Sequence, residues 1–343
     1  CIRDRATAEI VTMFPSRQMS FKMGSIGTVV GTVHRDQRAG LVGELGPEPP
    51  LLPVDVVVTD ARGERTYAFQ VADDPQLAPA LVFWAAYNAL LAEADDASLQ
   101  TIRYRVATQW EAPGSLGRDG LAFAGAAAGP GGAGQLAPQI MAPLQILLQN
   151  PHQRVALRHV RIELTATAGL ETARIVAVTG PTRLPPGGGP VPLAVEIEPR
   201  QGERSRLELV LDVPPGLDGE RYRIAAASAA EIFALEAQRA AGLFEPASLD
   251  ATVRLLAGER SLQTLTVALF APGSGVVIEG QELDALPGSV ARTVRRGAEP
   301  SQRTLADTVV RVDLPLGYLL DGHALHDLRI DRTASPLTVE RRP

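Results

Sequence analysis

The sequence predicts a mainly β protein with some α-helix, divided into more than one domain. Short runs of alternating apolar and polar residues recur along its 343 residues, and stretches rich in glycine and proline separate them. Such runs, divided by turns, are typical of antiparallel sheets and sandwiches. With 45% hydrophobic, 21% charged and only 4% aromatic residues, the chain has a globular composition and a core built from aliphatic side chains.

The first hundred residues are predicted to be β-rich. Strands are expected at 8–14, 26–34 and 39–45, and the glycines inside the last two are typical of bulges or the corners of a barrel. Two further alternating runs, at 54–58 and 67–71, are separated by the turn sequence of Asp60 to Gly63 and predict a hairpin.

A helix is predicted over residues 75–94. Asp74 is a good N-cap, and Pro75 suits the first helical position. Five residues recur at helical spacing and support this helix: Leu77, Leu81, Trp84, Asn88 and Leu91. A strand is predicted to follow at 102–110.

Residues 112–136 consist mostly of glycine and small residues, and this composition predicts a loop or linker. A helix at 138–149 leads into five alternating runs whose spacing predicts an immunoglobulin-like β-sandwich. The runs cover residues 160–166, 174–179, 191–198, 206–213 and 221–226. The tail is predicted to mix helices at 229–241, 248–257 and 287–294 with strands at 265–269, 276–279, 310–314 and 325–331.

These patterns divide the chain into five parts. They are residues 1–5, a β domain with one helix at 6–111, the loop at 112–136, a helix plus sandwich at 137–228, and a mixed α/β region at 229–343. The first five residues, CIRDR, match the translation of a transposon-end sequencing adapter. We therefore exclude them from fold reasoning and expect the natural N-terminal part to be missing.

Composition argues against several functions. The net charge is −6 and no run of Lys or Arg forms a basic stripe, which disfavours nucleic acid as a partner. Cys1 is the sole cysteine, so an internal disulfide and a thiolate metal site are excluded. No apolar run is long enough to cross a membrane. A protein or peptide partner remains open, and the oligomeric state is not predicted.

Histidine and serine residues were considered as candidates for catalysis. His34 lies near Asp36 in the sequence, but a triad is defined by spatial geometry, and we interpret His34 as the outward-facing end of a strand. Ser20, Ser25 and Ser115 are the serines nearest to it along the chain. Neither Ser115 nor Ser274 has the Gly-x-Ser-x-Gly pattern of a nucleophile elbow, and both are interpreted as turn residues.

The residues that could form a metal, nucleotide or aromatic site are typical of structural positions. His323 and His326 lie three residues apart without further ligands, which favours solvent-facing histidines over a metal site. The glycines at 129–134 lack the Lys-Ser or Lys-Thr of a phosphate loop. Trp84 and Trp110, with Tyr87 nearby, are interpreted as core residues. The sequence therefore names no catalytic, cofactor-binding or metal-ligating residue and no cofactor.

The segment from Ser20 to Gly46 carries a family resemblance. It contains Ser20-Phe21-Lys22, the Gly-Thr-rich strand 26–32, the Asp36 turn and the strand GLVGELG at 40–46, with Pro53-Val54 beyond. This pattern resembles the stage IV sporulation protein B family of serine peptidases, especially long relatives in Gram-negative bacteria. The local motif covers residues 16–58, and the remainder of the chain is similar only in layout.

The resemblance implies part of a chymotrypsin-like barrel and an extracytoplasmic location in the periplasm or cell envelope. The family's Gly-His and Gly-Met-Ser-Gly-Ser motifs do not occur in this sequence, so no catalytic residue is carried over. The function expected is that of a non-catalytic downstream part of a secreted or periplasmic serine-peptidase-like protein, supporting or regulating its catalytic part. The alternative is a non-enzymatic cell-envelope sandwich that binds or scaffolds a partner.

Overall fold

The computed structural model describes most of the chain. The described residues are 3–14, 21–37, 40–45, 51–93, 99–110, 120–217, 221–257, 263–273, 275–278, 281–283, 288–298 and 302–334. The protein is mainly β, with several sheets, one of which curls into a half-barrel. The predicted fold class is confirmed at this level.

The first sheet contains three antiparallel strands in the order β1, β2, β3. They are β1 (Arg3–Phe14), β2 (Phe21–Gln37) and β3 (Gly40–Leu45). The pairing of β1 with β2 shifts register at three places, and that of β2 with β3 shifts between Val33 and Arg35. Such irregularities bend a ribbon, as the glycines in these strands predicted.

The second sheet has the order β5-β4-β8-β6-β7. Its strands are β4 (Leu51–Asp60), β5 (Gly63–Ala72), β6 (Gln100–Trp110), β7 (Ala122–Ala128) and β8 (Leu157–Ala168). Strand β4 runs parallel to β8, whereas the other neighbours are antiparallel. The predicted hairpin is confirmed, and the Arg62 amide donates to Asp60 Oδ1 in its turn at 2.8 Å.

Two helices cover one face of this sheet and bury its alternating apolar side chains. They are α1 (Ala78–Glu93) and α2 (Gly132–Leu148). Val54, Val56 and Val58 of β4 belong to the resulting core, together with Ile140 and Leu144 of α2. The other face carries polar pairs such as Asp55 with His159, so the sheet shows the alternation expected of one buried and one open side.

The predicted helix after Asp74 is confirmed and begins at Ala78, but the prediction that Trp84 lies in the core is wrong. Asp74 Oδ1 accepts hydrogen bonds from the amides of Gln76 and Leu77, which is how it caps the turn that leads into α1. The side of α1 that packs on the sheet is rich in alanine, and Trp84 is 52% exposed. Because α1 is apolar almost all round, the spacing of its apolar residues could not show which face is buried. The alanine-rich face packs on the sheet because its small side chains let the helix approach the strands more closely.

The structure also differs from the loop predicted over 112–136. Strand β7 occupies Ala122–Ala128, and α2 begins at Gly132, six residues before the helix expected from the sequence. A side chain at Gly125 would approach Tyr104 and Gln139 to within about 2.7 Å. Small residues are therefore required where β7 packs against β6 and α2. In the sequence, this requirement produces the same small-residue composition as a flexible linker.

Two further sheets pack face to face and form a sandwich. One has the order β12-β11-β9-β18 and the other β10-β19-β13-β14-β17. The strands are β9 (Thr172–Thr179), β10 (Arg183–Leu184), β11 (Gly189–Pro199), β12 (Ser205–Val213), β13 (Tyr222–Ala227), β14 (Thr264–Pro272), β17 (Ala306–Pro315), β18 (Leu319–Asp321) and β19 (His323–Ile330). Side chains from both sheets form one apolar core.

The sandwich draws its strands from both sides of residue 228. Strand β13 pairs with β14 and β19, which lie in the region predicted as a separate mixed tail. The domain boundaries stay a prediction, but the region after residue 228 supplies four strands of the sandwich, β14, β17, β18 and β19. A small hairpin is formed by β15 (Val276–Ile278) and β16 (Gln281–Leu283).

The remaining helices are α3 (Ala229–Arg239), α4 (Leu249–Leu256) and α5 (Gly288–Gly297), with a 3-10 turn at Ala241–Phe244. Ser248 caps α4 as the sequence predicted, since its Oγ accepts from the Ala251 amide. Leu249 and Val253 of α4 lie in the core of the β4–β8 sheet. Within the residues that the structure describes, no helix has the length and apolarity needed to cross a membrane.

Candidate functional site

Helix α3 lies on the outer face of the five-stranded sheet of the sandwich. Ser228 caps its N-terminus by accepting a hydrogen bond from the Glu231 amide. A small cluster of Ala227, Ala268 and Ile232 joins helix and sheet, and the two alanines let the helix lie close to the strands. The helix ends at Arg239.

A cavity of about 470 Å³ opens beside the C-terminal half of α3. Strands β13, β14 and β19 form its base together with the chain entering β17. Its apolar lining includes Leu235, Phe270, Pro272 and Leu305. The volume falls within the range of about 300–1,000 Å³ typical of ligand pockets. Leu305 is 74% exposed, so the apolar surface continues from the cavity to the outside of the molecule.

Arg239 is the buried charged residue of this cavity, with only 8% of its surface exposed. Its Nη2 donates to Glu282 Oε2 at 2.8 Å, its Nη1 donates to Glu282 Oε1 and to the Ala306 carbonyl, and Glu236 forms a second ion pair. Burial acts to lower the pKa of the guanidinium, but the two carboxylates outweigh it and raise the pKa. Arg239 therefore stays charged.

One donor of Arg239 has no partner. The Nε–H is buried and makes no hydrogen bond in the part of the chain that the structure describes. Buried donors are nearly always satisfied, and an unpaired one in a cavity wall marks a place where an acceptor would be stabilised.

The rim of the cavity is charged. Arg221 and Arg223 line it and are exposed, and Arg223 Nε lies 3.6 Å from Asp327 Oδ1. An exposed pair at this distance contributes little to stability and can reorganise when a ligand arrives. The titratable side chains among the described lining residues are those of Arg221, Tyr222, Arg223, Arg239 and Asp327.

The sequence did not single out any of these residues. Arg239 reads as an ordinary basic residue in the last turn of a helix, with Glu236 three positions before it. Its burial comes from β16 and the segment entering β17, both distant in sequence. No local signal could have found the cavity.

The histidines considered for chemistry are dispersed. His323 Nδ1 lies 3.1 Å from Glu231 Oε2, whereas His326 Nε2 lies 2.9 Å from the Pro181 carbonyl oxygen. Their different partners do not support a shared site. Across the described ranges, no group of three or more histidine, cysteine, aspartate or glutamate side chains is placed to hold a metal ion. The His34 side chain, with Ser20 and Ser115, lies outside what the structure describes.

Sequence reasoning missed a carboxylate–histidine pair on the open face of the β4–β8 sheet. His159 Nε2 lies 2.9 Å from Asp55 Oδ2, because β4 and β8 are neighbours. Among the described residues, no serine, threonine or cysteine hydrogen-bonds to His159. The pair alone is therefore not a nucleophile–base set.

The other candidates have structural places. Trp110 is buried, as predicted, whereas the prediction that Trp84 is a core residue is wrong. Trp84 and Tyr87 contact each other edge to face on α1, with ring centroids 5.4 Å apart. Gly129 and Gly131 lie in the turn before α2, where Gly131 adopts a left-handed φ of 70°, and Gly132 and Gly134 lie in the first turn of the helix. Ser274 also lies outside the described residues.

Comparisons with protein-family models, curated proteins and solved structures gave no match to this chain.

Proposed function

We propose that this chain is a non-catalytic part of a serine-peptidase-like protein of the cell envelope and that it holds a protein segment in the Arg239 cavity. The observation that carries the binding role is the cavity itself. It combines apolar walls with a buried, unpartnered donor. By holding a segment of the catalytic part or of its substrate, the chain would support or regulate the peptidase.

The peptidase context rests on the pattern from Ser20 to Gly46. The irregular pairing of β1, β2 and β3 supports a fragment of a chymotrypsin-like barrel, because register shifts are common at barrel corners. The parallel pair of β4 with β8 and the two covering helices limit this proposal to the first sheet. Two sheets packed around one core support an immunoglobulin-like type for the sandwich.

A non-enzymatic envelope module is the second candidate. The same cavity favours it, because binding there needs no catalytic partner. The two candidates differ in whether the bound segment comes from a peptidase domain or from an unrelated envelope protein.

The test is a selection of displayed random peptides on the full chain. We expect enrichment of a shared sequence whose binding is lost when Ala271→Trp fills the cavity and is retained in the matched variant Ala156→Trp, which changes an exposed alanine elsewhere. Circular dichroism would establish that both variants fold. Enrichment unaffected by Ala271→Trp would refute the cavity's role.

Labelling with a fluorophosphonate probe tests the non-catalytic assignment separately. We expect the folded full chain to remain unlabelled. Covalent labelling of a serine would show an activated nucleophile and would overturn the assignment.

A further inference from the structure

The chemistry of the cavity specifies the class of segment that it accepts. We infer that its ligand is an extended peptide in which an aliphatic residue fills the apolar part, an uncharged main-chain carbonyl accepts a hydrogen bond from Arg239 Nε, and an acidic side chain lies at the arginine rim. This inference rests on the proposed binding function and names its ligand.

The acceptor at Arg239 must be uncharged. The guanidinium is already paired with Glu236 and Glu282, so the cluster has a net charge of −1. A further carboxylate placed there would meet two like charges in a partly desolvated site, which is unfavourable. The single free N–H suits one carbonyl oxygen, and it cannot provide the two parallel donors that arginine uses for a carboxylate.

The rim has the opposite charge. Arg221 and Arg223, with Asp327 beside them, give it a net charge of +1 and leave both guanidinium groups exposed. An acidic residue of the ligand would be attracted there, and this attraction would weaken at high salt because the rim is in contact with water.

The apolar lining favours a peptide over a small molecule. Phe270 and Leu235 line the inner part, while Pro272 and the largely exposed Leu305 extend the apolar surface outward. The segment containing Leu305 leads directly into β17, the edge strand of its sheet. A peptide that enters the cavity can therefore continue along the apolar surface at Pro272 and Leu305. A compact small molecule would leave that surface uncovered.

The experiment uses the blocked peptide acetyl-Gly-Glu-Leu-Val-Gly-amide and isothermal titration calorimetry with the full chain. We expect binding that weakens when the peptide leucine is replaced by serine or its glutamate by glutamine. Arg221→Gln should weaken binding several-fold at low salt, with the difference lost at high salt. Leu305→Ser should also weaken it. Arg206→Gln and Leu99→Ser change exposed residues outside the cavity and should leave affinity unchanged.

The hydrogen bond is tested by pairing Arg239→Lys with a peptide in which the amides that follow leucine and valine are replaced by trans-alkenes, which removes both carbonyl acceptors without adding a charge. Lysine retains a positive charge between the two glutamates but lacks the Nε–H. We expect each change alone to weaken binding about tenfold, and the second to add little to the first, since both remove one bond. If the losses of binding free energy from the two changes simply add, the proposed hydrogen bond between Arg239 Nε and the peptide is wrong. This holds whether or not Arg239→Lys also lowers the stability of the protein.

Two further outcomes separate the inference from the proposed function. Tighter binding of acetyl-Gly-Glu-Leu with a free C-terminal carboxylate than of its amide would overturn the uncharged acceptor. If displayed peptides bind in the cavity but the acidic–aliphatic peptide does not, the ligand class is wrong while the proposed binding function stands. If neither the displayed peptides nor the acidic–aliphatic peptide binds the unmodified protein, the proposed binding function is refuted as well.

Discussion

Glu93, at the end of α1, shows how one residue can fasten a helix to a sheet. It is only 6% exposed and accepts hydrogen bonds from Tyr67 Oη and from Arg65 Nη1, both on β5. A carboxylate at a helix C-terminus is disfavoured by the helix dipole. The bond from Tyr67, followed by that from Arg65, nevertheless lowers the pKa of Glu93. The same bond to Glu93, followed by burial, raises the pKa of Tyr67.

We predict that Glu93→Gln lowers the stability of the protein at neutral pH and that this difference disappears in acid. Because the folded-state pKa lies below the ordinary value of 4.5, the stabilisation is complete above that value and is lost as the pH falls through the folded pKa. Thermal unfolding of both proteins between pH 7 and pH 3 measures the effect. The exposed Glu163→Gln is the control, and a Glu93→Gln deficit that persists unchanged in acid would contradict the prediction.

Strand β7 shows at the scale of an element how packing decides the use of small residues. Its Gly125 lies between Tyr104 of β6 and Gln139 of α2, and Tyr104 Oη donates to the Gln139 carbonyl at 3.2 Å. Burial raises the pKa of the Tyr104 phenol, which therefore remains a donor. The alanines around Gly125 allow α2 to approach the strand.

The same glycine-to-alanine change is therefore predicted to have opposite signs at two positions. Gly125→Ala should destabilise by about 1–3 kcal/mol, because the added methyl group overpacks the contact with Tyr104. Gly134→Ala should stabilise the protein by up to about 1 kcal/mol, because Gly134 is an exposed residue of α2 and an added Cβ would meet open space. Urea unfolding of the two variants tests this, and effects of equal sign would show that the packing argument is mistaken.

At the scale of the whole molecule, the two main cores are connected through a returning segment. After contributing β13 and α3 to the sandwich, the chain places Leu249 and Val253 of α4 in the core of the β4–β8 sheet. Arg103 of that sheet also pairs with Glu171, which precedes the first sandwich strand. The folding of the first core thus depends on residues far along the sequence.

We predict that Leu249→Ala destabilises the first core by about 2–5 kcal/mol, as expected for a buried leucine. Hydrogen exchange should accelerate in α2 and β8, although neither is a sequence neighbour of Leu249. The exposed Leu325→Ala is the matched control and should change stability by less than about 0.5 kcal/mol. Unchanged exchange in α2 would mean that α4 is not part of this core.

What the sequence by itself determined is local. Alternation located the β4–β5 hairpin and four of the five strands predicted for the sandwich, whereas the fifth, 160–166, is β8 of the β4–β8 sheet. Asp74 marked the turn that leads into α1, and Ser248 marked the start of α4, because these signals arise from contacts between near neighbours in the chain. The predicted strands at 174–179 and 206–213 differ from the observed ones by no more than two residues at either end.

What only the tertiary structure decided depends on residues that are distant in sequence. The parallel pairing of β4 with β8 brought His159 to Asp55, and packing on the sheet selected the alanine face of α1 over that of Trp84. The Arg239 cavity likewise required α3, β16 and the entry to β17 to converge. Burial and electrostatic environment are properties of such convergence, so residue type and spacing alone could not reveal them.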